Sequence, residues 1–214
     1  MATVGVVGEA LVDVLPVDAD DGSDLLRGHP GGSPANVAVA MARLGLDSHF
    51  LGRTSTDRWG RRLRDHLTAQ GVTVDGAVGD EPTAIAFVDL DDEGRATYRF
   101  LWDGTADRQL DAPTLAAGFD GLDAVHVGSV QCLLPPGADV IAAAVAPIEE
   151  RRVVSFDPNV RADLVEDVEV ARARLLDLAD HAHVVKASDE DLAFLLPDHD
   201  VERAARRAPT GRTR

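Results

Sequence analysis

The sequence has little of three things that identify common classes of protein: cysteine, lysine and long apolar runs. Its single cysteine, Cys132, excludes an internal disulfide and has no histidine or cysteine at ligand spacing, which favours a buried structural thiol. No apolar run approaches the roughly 20 residues that span a bilayer, and no basic stretch precedes an apolar segment at the N-terminus. We therefore predict a cytoplasmic protein without a membrane partner.

Basic residues are also scarce relative to acidic ones. The 214 residues include 21 Lys and Arg against 37 Asp and Glu, which gives a formal net charge of −16. Nucleic-acid surfaces need clustered Lys or Arg, so this balance excludes a nucleic-acid partner. The acids lie mostly in predicted loops, such as 18–24 and 89–93, which is typical of a solvated acidic surface. The only lysine is Lys186, and this makes its position informative.

Two common nucleotide-binding motifs are absent. The sequence has no Gly-x4-Gly-Lys-Ser/Thr, which excludes a P-loop enzyme. Gly5 and Gly8 follow the start of the first apolar run, but the third glycine and the spacing of a dinucleotide fingerprint are missing. A nicotinamide-dependent enzyme is therefore disfavoured.

The most informative segment is residues 31–45, GGSPANVAVAMARLG. Gly31 and Gly32 predict a tight turn in which the backbone approaches a ligand closely. Asn36 lies on the first turn of the helix that follows, beside free backbone N–H groups. Such a corner suits a polyhydroxylated or anionic small molecule.

The same segment carries helix signals. Ser33 is expected to be the N-cap and Pro34 to lie in the first turn, where its missing N–H is not needed. Three apolar residues at helical spacing predict the buried face: Val37, Met41 and Leu44. Gly45 is expected to end the helix.

Short apolar runs alternate with helical patterns along the chain. The predicted strands are residues 4–8, 48–52, 124–127, 153–157 and 183–186. The predicted helices are residues 34–44, 59–69, 138–150, 168–179 and 188–195. This alternation predicts an α/β fold with a mostly parallel sheet flanked by helices. Residues 83–90 and 96–101 break the rhythm, because they flank the turn residues 91–94 and predict a hairpin in a separate small sheet.

The 31–45 segment resembles the first signature of the PfkB (ribokinase-like) family of carbohydrate kinases, in its fructokinase-like branch. Six further motifs follow the family's order, at residues 8–13, 51–60, 82–100, 126–129, 156–161 and 186–191. The resemblance covers residues 3–196. It implies a ribokinase-like domain at 1–196, with a small-sheet lid whose strands lie within 12–30 and 83–103, followed by an atypical Arg-rich tail at 197–214. The exposed face of such a lid is a site for a homodimer contact in this family.

The resemblance implies phosphoryl transfer from MgATP to a sugar hydroxyl, with ATP and Mg²⁺ as cofactors and a small-molecule sugar as substrate. The residues expected to bind the sugar are Asp13, Gly31, Gly32, Asn36 and Arg161. Those expected near ATP are Asn159, Lys186 and Ser188, and Asp191 is expected to order the waters of magnesium. Ser188 followed by three acids is also typical of a helix N-cap, and both interpretations stay open.

The sequence departs from the family pattern in two places. Gly-Ala-Gly-Asp, the signature that carries the catalytic aspartate, does not occur in these residues, so a C-terminally truncated and inactive kinase is expected. The alternative is a non-catalytic sugar-binding fragment or remnant. Gly128 and Ser129 stand where ribokinases carry a sugar-binding glutamate, which favours a hexose; fructose and 2-keto-3-deoxygluconate both remain open. His126, on the preceding buried strand, is expected to be a core histidine.

Overall fold

The computed structural model describes residues 1–17, 25–90 and 96–200. The strands are β1 Thr3–Val7, β2 Leu11–Val17, β3 Leu25–Gly31, β4 Asp47–Phe50, β5 Thr54–Ser55, β6 Thr73–Val74, β7 Val78–Gly79, β8 Ile85–Leu90, β9 Ala96–Leu101, β10 Ala124–Gly128, β11 Val153–Asp157 and β12 Val184–Val185. The helices are α1 Ser33–Arg43, α2 Arg58–Ala69, α3 Ala112–Gly118, α4 Val130–Leu133, α5 Gly137–Val145, α6 Val168–Asp180 and α7 Asp189–Leu195. The hairpin turn at 91–94, the acidic range 18–24 and residues 201–214 of the tail lie outside the described residues.

The central sheet positions the functional site. Within the described ranges it has six strands in the order β12-β11-β10-β1-β4-β6, and all the strand pairs are parallel. The chain runs outward from β1 to β4 and β6 on one side, and β10 to β12 continue on the other. The carboxyl ends of β1 and β10 therefore meet where the strand order reverses, which is where open α/β sheets bind ligands.

Helices cover both faces of this sheet, as the apolar strands predict. One core cluster packs α5 and α6 against one face, with Ile141 and Leu175 fully buried. The other packs α1 and α2 against the opposite face, around Ala38 and Leu63. The predicted α/β fold with a mostly parallel, helix-flanked sheet is confirmed.

The small sheet has the order β3-β2-β8-β9 among the described residues. β8 and β9 pair antiparallel, with Ile85 opposite Leu101, so the predicted hairpin strands are confirmed. β2 runs parallel to β8 and antiparallel to β3. The sequence analysis did not delimit β2 and β3 or predict α3 and α4.

One prediction about α1 is wrong and another is right only in part. The N-cap is Gly32, with φ 101°, and Ser33 lies inside the helix without a side-chain capping bond. The predicted buried face is right only in part, because Val37 and Met41 pack against the core but Leu44 is 82% exposed. The buried residues of this face are Pro34, Ala35, Ala38 and Val39. Small residues allow α1 to lie so close to the sheet that the hydroxyl of Ser48 donates to the carbonyl of Ala38 at 2.9 Å.

Two predicted boundaries also shift. The helix expected at 138–150 ends at Val145, because Pro147 lacks an N–H and its ring would clash with a preceding carbonyl. The strand expected at 183–186 shortens to Val184–Val185. The end of α1 is as expected, since Gly45 follows it with φ 84°.

Several large apolar side chains of the small sheet are exposed. Leu25, Leu26, Tyr98 and Leu101 of the small sheet are between 41% and 62% exposed. This is the sheet for which the resemblance implies a homodimer contact, and that contact stays a prediction. No helix of the described chain is both long enough and apolar enough to cross a membrane.

Candidate functional site

Most of the residues expected to bind a ligand meet in one cavity. The cavity measures about 450 Å³ and lies at the carboxyl ends of the central strands, under the small sheet. Its polar lining consists of Glu9, Asp13, Ser33, Asn36, Tyr98, Ser129, Asn159 and Arg161. A cavity of this size, with convergent polar groups, suits a small polar molecule.

Asp13 lies within β2 of the small sheet, opposite His29. Burial raises the pKa of its carboxyl, while the charges of His29 and Arg161 act in the opposite direction. Asp13 is thus a half-buried acceptor on the wall of the cavity, facing the positive charge of Arg161.

Gly31 has a role that the sequence analysis did not foresee. It does not line the cavity, and a Cβ at this position would lie 2.1 Å from Oδ2 of Asp13. The space beside Gly31 is therefore filled by the carboxylate rather than by a ligand. Gly32 does line the cavity, at a φ of 101° that side chains rarely adopt.

Asn36 is exposed on the first turns of α1 and lines the same cavity. Its amide offers both a donor and an acceptor, which matches vicinal hydroxyl groups. The prediction that Asn36 faces a ligand stays open to test, and its position is compatible with it.

Asn159 and Arg161 follow β11 and are joined to each other. Nη1 of Arg161 donates to Oδ1 of Asn159 at 3.0 Å, and Nδ2 of Asn159 donates to Oγ of Ser129 at 3.2 Å. The guanidinium of Arg161 lies 5.7 Å from the ring centroid of Tyr98, in cation–π geometry. This contact connects the small sheet to the end of β11 across the cavity.

Glu9 is the most deeply buried acid that lines this cavity. It is 2% exposed, and burial raises the pKa of its carboxyl to about 7, although a hydrogen bond from the Ser129 side chain acts to lower it. Among the described residues, its Oε2 has no hydrogen-bond partner. A carboxyl that changes charge near neutral pH is typical of a functional position.

Lys186 and Ser188 stand apart from the cavity. Nζ of Lys186 pairs with Oδ2 of Asp157 at 3.1 Å, on a side chain that is 65% exposed. Ser188 is the N-cap of α7, and its hydroxyl accepts from the backbone N–H of Asp191 at 3.1 Å. The structure therefore shows the capping role of Ser188, whereas a role toward ATP stays a prediction for both residues.

Asp191 is used by the main chain. Its side chain is buried, with the residue 3% exposed. One carboxylate oxygen accepts a hydrogen bond from the N–H of Ser188 at 2.8 Å, and the other accepts one from the N–H of Val160 at 2.7 Å. It completes a capping box and joins α7 to the segment that carries Asn159. Buried and doubly bonded, Asp191 does not fit a direct magnesium ligand, and no cluster of acids and histidines in the described ranges could hold a metal ion.

Two other sequence predictions are confirmed. Cys132 is buried, with its pKa raised by burial. His126 is a buried core residue whose Nδ1 lies 2.8 Å from Oγ of Ser155, and burial lowers its pKa to about 4.

A second cavity of about 510 Å³ shares Phe100 with the first as a lining residue. It contains Arg108 and Arg174 but also Asp103 and Glu166, and none of the predicted site residues.

Among the residues that line the site, the sequence analysis did not assign Glu9, Tyr98 or Phe100 to it, and it named Ser129 only as standing at a sugar-binding position of ribokinases. Glu9 had an available signal, since an acid directly follows an apolar strand at the centre of the sheet. Tyr98 and Phe100 had none, because their contact with the cavity depends on how the small sheet folds over the central one.

The comparisons with known proteins agree with this geometry. The family model described as pfkB family carbohydrate kinase matches residues 1–213, and the chain belongs to this family. A fructokinase of Klebsiella pneumoniae is 40% identical over 207 residues. The match covers 92% of this chain and 64% of that relative, so the chain spans less than two thirds of its length.

Two solved structures are similar over nearly the whole chain. A fructokinase from Xylella fastidiosa with bound ATP has a TM-score of 0.87 and 30% sequence identity. The match covers 98% of this chain and 69% of the Xylella chain. A fructokinase from Vibrio cholerae O395, bound to fructose, ADP and calcium, has a TM-score of 0.81 and 31% identity. That match covers 96% of this chain and 66% of the Vibrio chain.

Proposed function

We propose that these residues form the sugar-binding part of an ATP-dependent fructokinase, which in its whole form transfers a phosphoryl group from MgATP to a hydroxyl of fructose. The observation that carries the proposal is the convergence of Asp13, Asn36 and Arg161 on one cavity at the switch point of the sheet. Membership of the carbohydrate kinase family and the fructose-bound relative support it.

Each polar group has a chemical task in this proposal. The carboxylate of Asp13 accepts hydrogen bonds from sugar hydroxyls, and charge-assisted bonds of this kind are stronger than neutral ones. Asn36 donates to one hydroxyl oxygen and accepts from its neighbour. Arg161 supplies positive charge at the same cavity.

ATP would lie beyond the carboxyl end of β11, near Asn159, Lys186 and Ser188. Magnesium, when bound with the phosphates, would neutralise the charge that develops in transfer. Mg²⁺ keeps most of its waters, and Asp191 is assigned only to that outer shell because its two oxygens already accept main-chain hydrogen bonds.

The family's catalytic aspartate belongs to a Gly-Ala-Gly-Asp sequence that these 214 residues do not contain. We therefore expect this chain by itself to bind sugar without measurable turnover. A non-catalytic sugar-binding role is the alternative, and copurification of a separate chain bearing that motif would distinguish an assembled kinase from it.

A second substrate is favoured by one observation. Among the described residues, Arg161 is the cation that lines the cavity, and a guanidinium binds a carboxylate in a bidentate manner. This would suit 2-keto-3-deoxygluconate, an acid sugar. Competition between this compound and D-fructose for the same site would separate the two substrates.

The test is calorimetric titration of this chain with D-fructose. The variant N36A should bind about tenfold more weakly, because it loses a donor and an acceptor. Q109A, which removes an exposed amide outside the cavity, serves as the control and should bind as the parent does. Equal affinity of N36A and the parent would remove Asn36 from the site, and no binding by the parent would refute the proposal.

A further inference from the structure

Arg161 is held at the cavity by one corner of its guanidinium. Its Nη1 donates to Oδ1 of Asn159 at 3.0 Å, to the carbonyl of Asn159 at 3.4 Å and to the carbonyl of Val160 at 3.2 Å. Within the described ranges, these are all the hydrogen bonds of the guanidinium, so Nε and Nη2 are left for a ligand. Two N–H groups on one edge of a guanidinium can donate in parallel to two oxygen acceptors.

The amide of Asn159 has fixed partners of its own. An arginine can only donate, so the amide oxygen faces it, and Nδ2 then donates to Oγ of Ser129 at 3.2 Å. The backbone around Asn159 is held as well. Its N–H donates to Oδ1 of Asp157 at 3.2 Å, and the N–H of Val160 donates to the buried Asp191 at 2.7 Å. Asn159 is therefore a firm support for a long side chain that is otherwise flexible.

Both residues of this support have backbone conformations that are costly for residues other than glycine. Ser129 has φ 62° and ψ −152°, a combination that is nearly restricted to glycine, and Asn159 has φ 38°. In the described part of the chain, no other residue except glycine has a positive φ. Such conformations are concentrated at functional sites. The two residues follow the neighbouring strands β10 and β11, and their side chains meet at the carboxyl ends of these strands.

The small sheet contacts the same guanidinium from another side. Cζ of Arg161 lies 5.7 Å from the ring centroid of Tyr98. A cation–π contact attracts the cation to the face of the ring, but it does not select which N–H groups are turned to a ligand. That selection depends on the hydrogen bonds of Nη1, and therefore on Asn159.

We propose that Asn159 is a positioning residue for sugar binding. Supported by the Ser129 hydroxyl, its amide oxygen holds Nη1 of Arg161, so that Nε and Nη2 are presented to the sugar. This role rests on the proposed sugar binding and deepens it. The family resemblance gives Asn159 a place near ATP, whereas the hydrogen bonds of its side chain give it a task toward the sugar.

The first measurement follows Arg161 without any ligand. The NMR order parameter of Nε reports how strongly the guanidinium is restrained, and R161A identifies its signal. N159G removes the amide at a position whose positive φ glycine adopts without strain. N159D keeps one oxygen for Arg161 and offers a second that accepts from the Ser129 hydroxyl. The order parameter should fall in N159G and return to the parent's value in N159D.

The second measurement is calorimetric titration of the same chains with D-fructose. N159G should bind about tenfold more weakly than the parent, and N159D within about threefold of it, so that affinity follows the order parameter. In the R161A background, N159G should cause no further loss, because Asn159 acts only through Arg161. Asn159 also lines the cavity, and a direct contact with the sugar would instead add its own loss to that of R161A.

Q70A is the matched control. Gln70 likewise accepts from an arginine, Nε of Arg43 at 3.1 Å, but neither residue lines the cavity. Q70A should leave the fructose affinity and the order parameter of Arg161 unchanged. If N159G does not fold, S129G takes its place in both measurements, since it also puts glycine at a positive φ and removes the partner of the Asn159 amide.

An order parameter that N159G leaves unchanged, or a loss from N159G that persists in the R161A background, would overturn the inference and leave the sugar site standing. Full fructose affinity in N159G would also overturn it. Absence of fructose binding by the parent would instead refute the proposed function, and the inference with it.

Discussion

At the residue scale, the contact between Gly31 and Asp13 determines where the carboxylate of the site lies. Gly31 ends β3 and faces Asp13 of β2 across the small sheet, with no room for a Cβ beside the carboxylate. The atom in the way is the end of a short side chain, which can rotate. A methyl group at position 31 would therefore displace the carboxylate at little cost to the fold.

We expect G31A to lower D-fructose affinity about as much as D13A, roughly tenfold, while the free energy of unfolding falls by about 1 kcal/mol or less. The double variant D13A/G31A should bind no more weakly than D13A alone, because the two changes remove the same interaction. Calorimetry and urea unfolding of the three variants measure both effects.

G45A provides the control for this cycle. A Cβ at Gly45 meets nothing within 4 Å, but its φ is 84°, so the cost of about 1 kcal/mol is backbone strain alone. Its sugar affinity should be unchanged. Additive losses in D13A/G31A would contradict the steric explanation.

At the scale of elements, Asp57 joins the start of α2 to the approach to β8. Its Oδ1 accepts from the N–H of Gly60 at 2.7 Å and from the hydroxyl of Thr83 at 2.7 Å, and its Oδ2 accepts from the N–H of Thr83 at 2.8 Å. Burial acts to raise the pKa of Asp57, but these hydrogen bonds outweigh it and lower the pKa. One carboxylate thus caps a helix of the main domain and anchors the strand that leads into the small sheet.

D57A should lower the free energy of unfolding by about 3 kcal/mol, since the helix cap is lost and Thr83 keeps an unpaired N–H. D57N keeps one acceptor and should cost about half as much. Because the folded pKa is lowered, the contribution of Asp57 is present above its unfolded pKa of about 3.9 and is lost as the pH falls through the folded value. Urea unfolding between about pH 2 and about pH 6 tests both the size and the direction.

D80A is the matched control for Asp57. Asp80 accepts a single exposed hydroxyl, that of Thr56, at 3.0 Å. Its removal should cost less than about 0.5 kcal/mol. A similar loss in D57A and D80A would show that the Asp57 anchor contributes no more than a surface contact.

At the scale of the whole molecule, buried titratable groups make stability depend on pH in two opposite ways. Burial raises the pKa of Glu9 to about 7 and of Asp107 to about 6, so folding becomes less favourable as the pH rises through the interval between the unfolded and folded values. Burial lowers the pKa of His126 to about 4, so stability from this group is lost as the pH falls below its unfolded value of about 6.5.

D107N should therefore flatten the decrease in stability between about pH 4 and about pH 6, because Asn cannot ionise. By about pH 7, the free energy of unfolding of D107N should have fallen by on the order of 1 to 3 kcal/mol less than that of the parent. D139N, which alters an exposed carboxylate on α5, should leave the slope as it is in the parent. An unchanged slope in D107N would mean that Asp107 does not ionise within this interval.

The fold class could be predicted because burial is a local and periodic signal. Apolar runs such as 4–8 and 153–157 predicted strands whose positions hold to within a residue, and the hairpin strands were also found. The predicted face of α1 was right in part, since Val37 and Met41 pack against the core whereas Leu44 is exposed. Close packing against β1 and β4 buries the small side chains of Ala35 and Ala38 more fully than hydrophobicity predicted.

The candidate site was predicted in part. Asp13, Asn36 and Arg161 were identified from their motifs, and the structure brings them to one cavity. The role of Gly31 could not be predicted, because it depends on the register between β2 and β3. Asp191 carried two interpretations, and its contact with Val160 joins segments that are 31 positions apart.

The sequence by itself determined the alternation of strands and helices, the absence of common nucleotide motifs and the residue types available at the strand ends. Only the tertiary structure decided that Tyr98 of the small sheet meets Arg161, and that Glu9 and Ser129 line the same cavity with Oε2 of Glu9 unpaired. The physical reason is distance along the chain. Local propensity acts over a few residues, whereas these contacts join segments that only the crossover connections of the parallel sheet bring together.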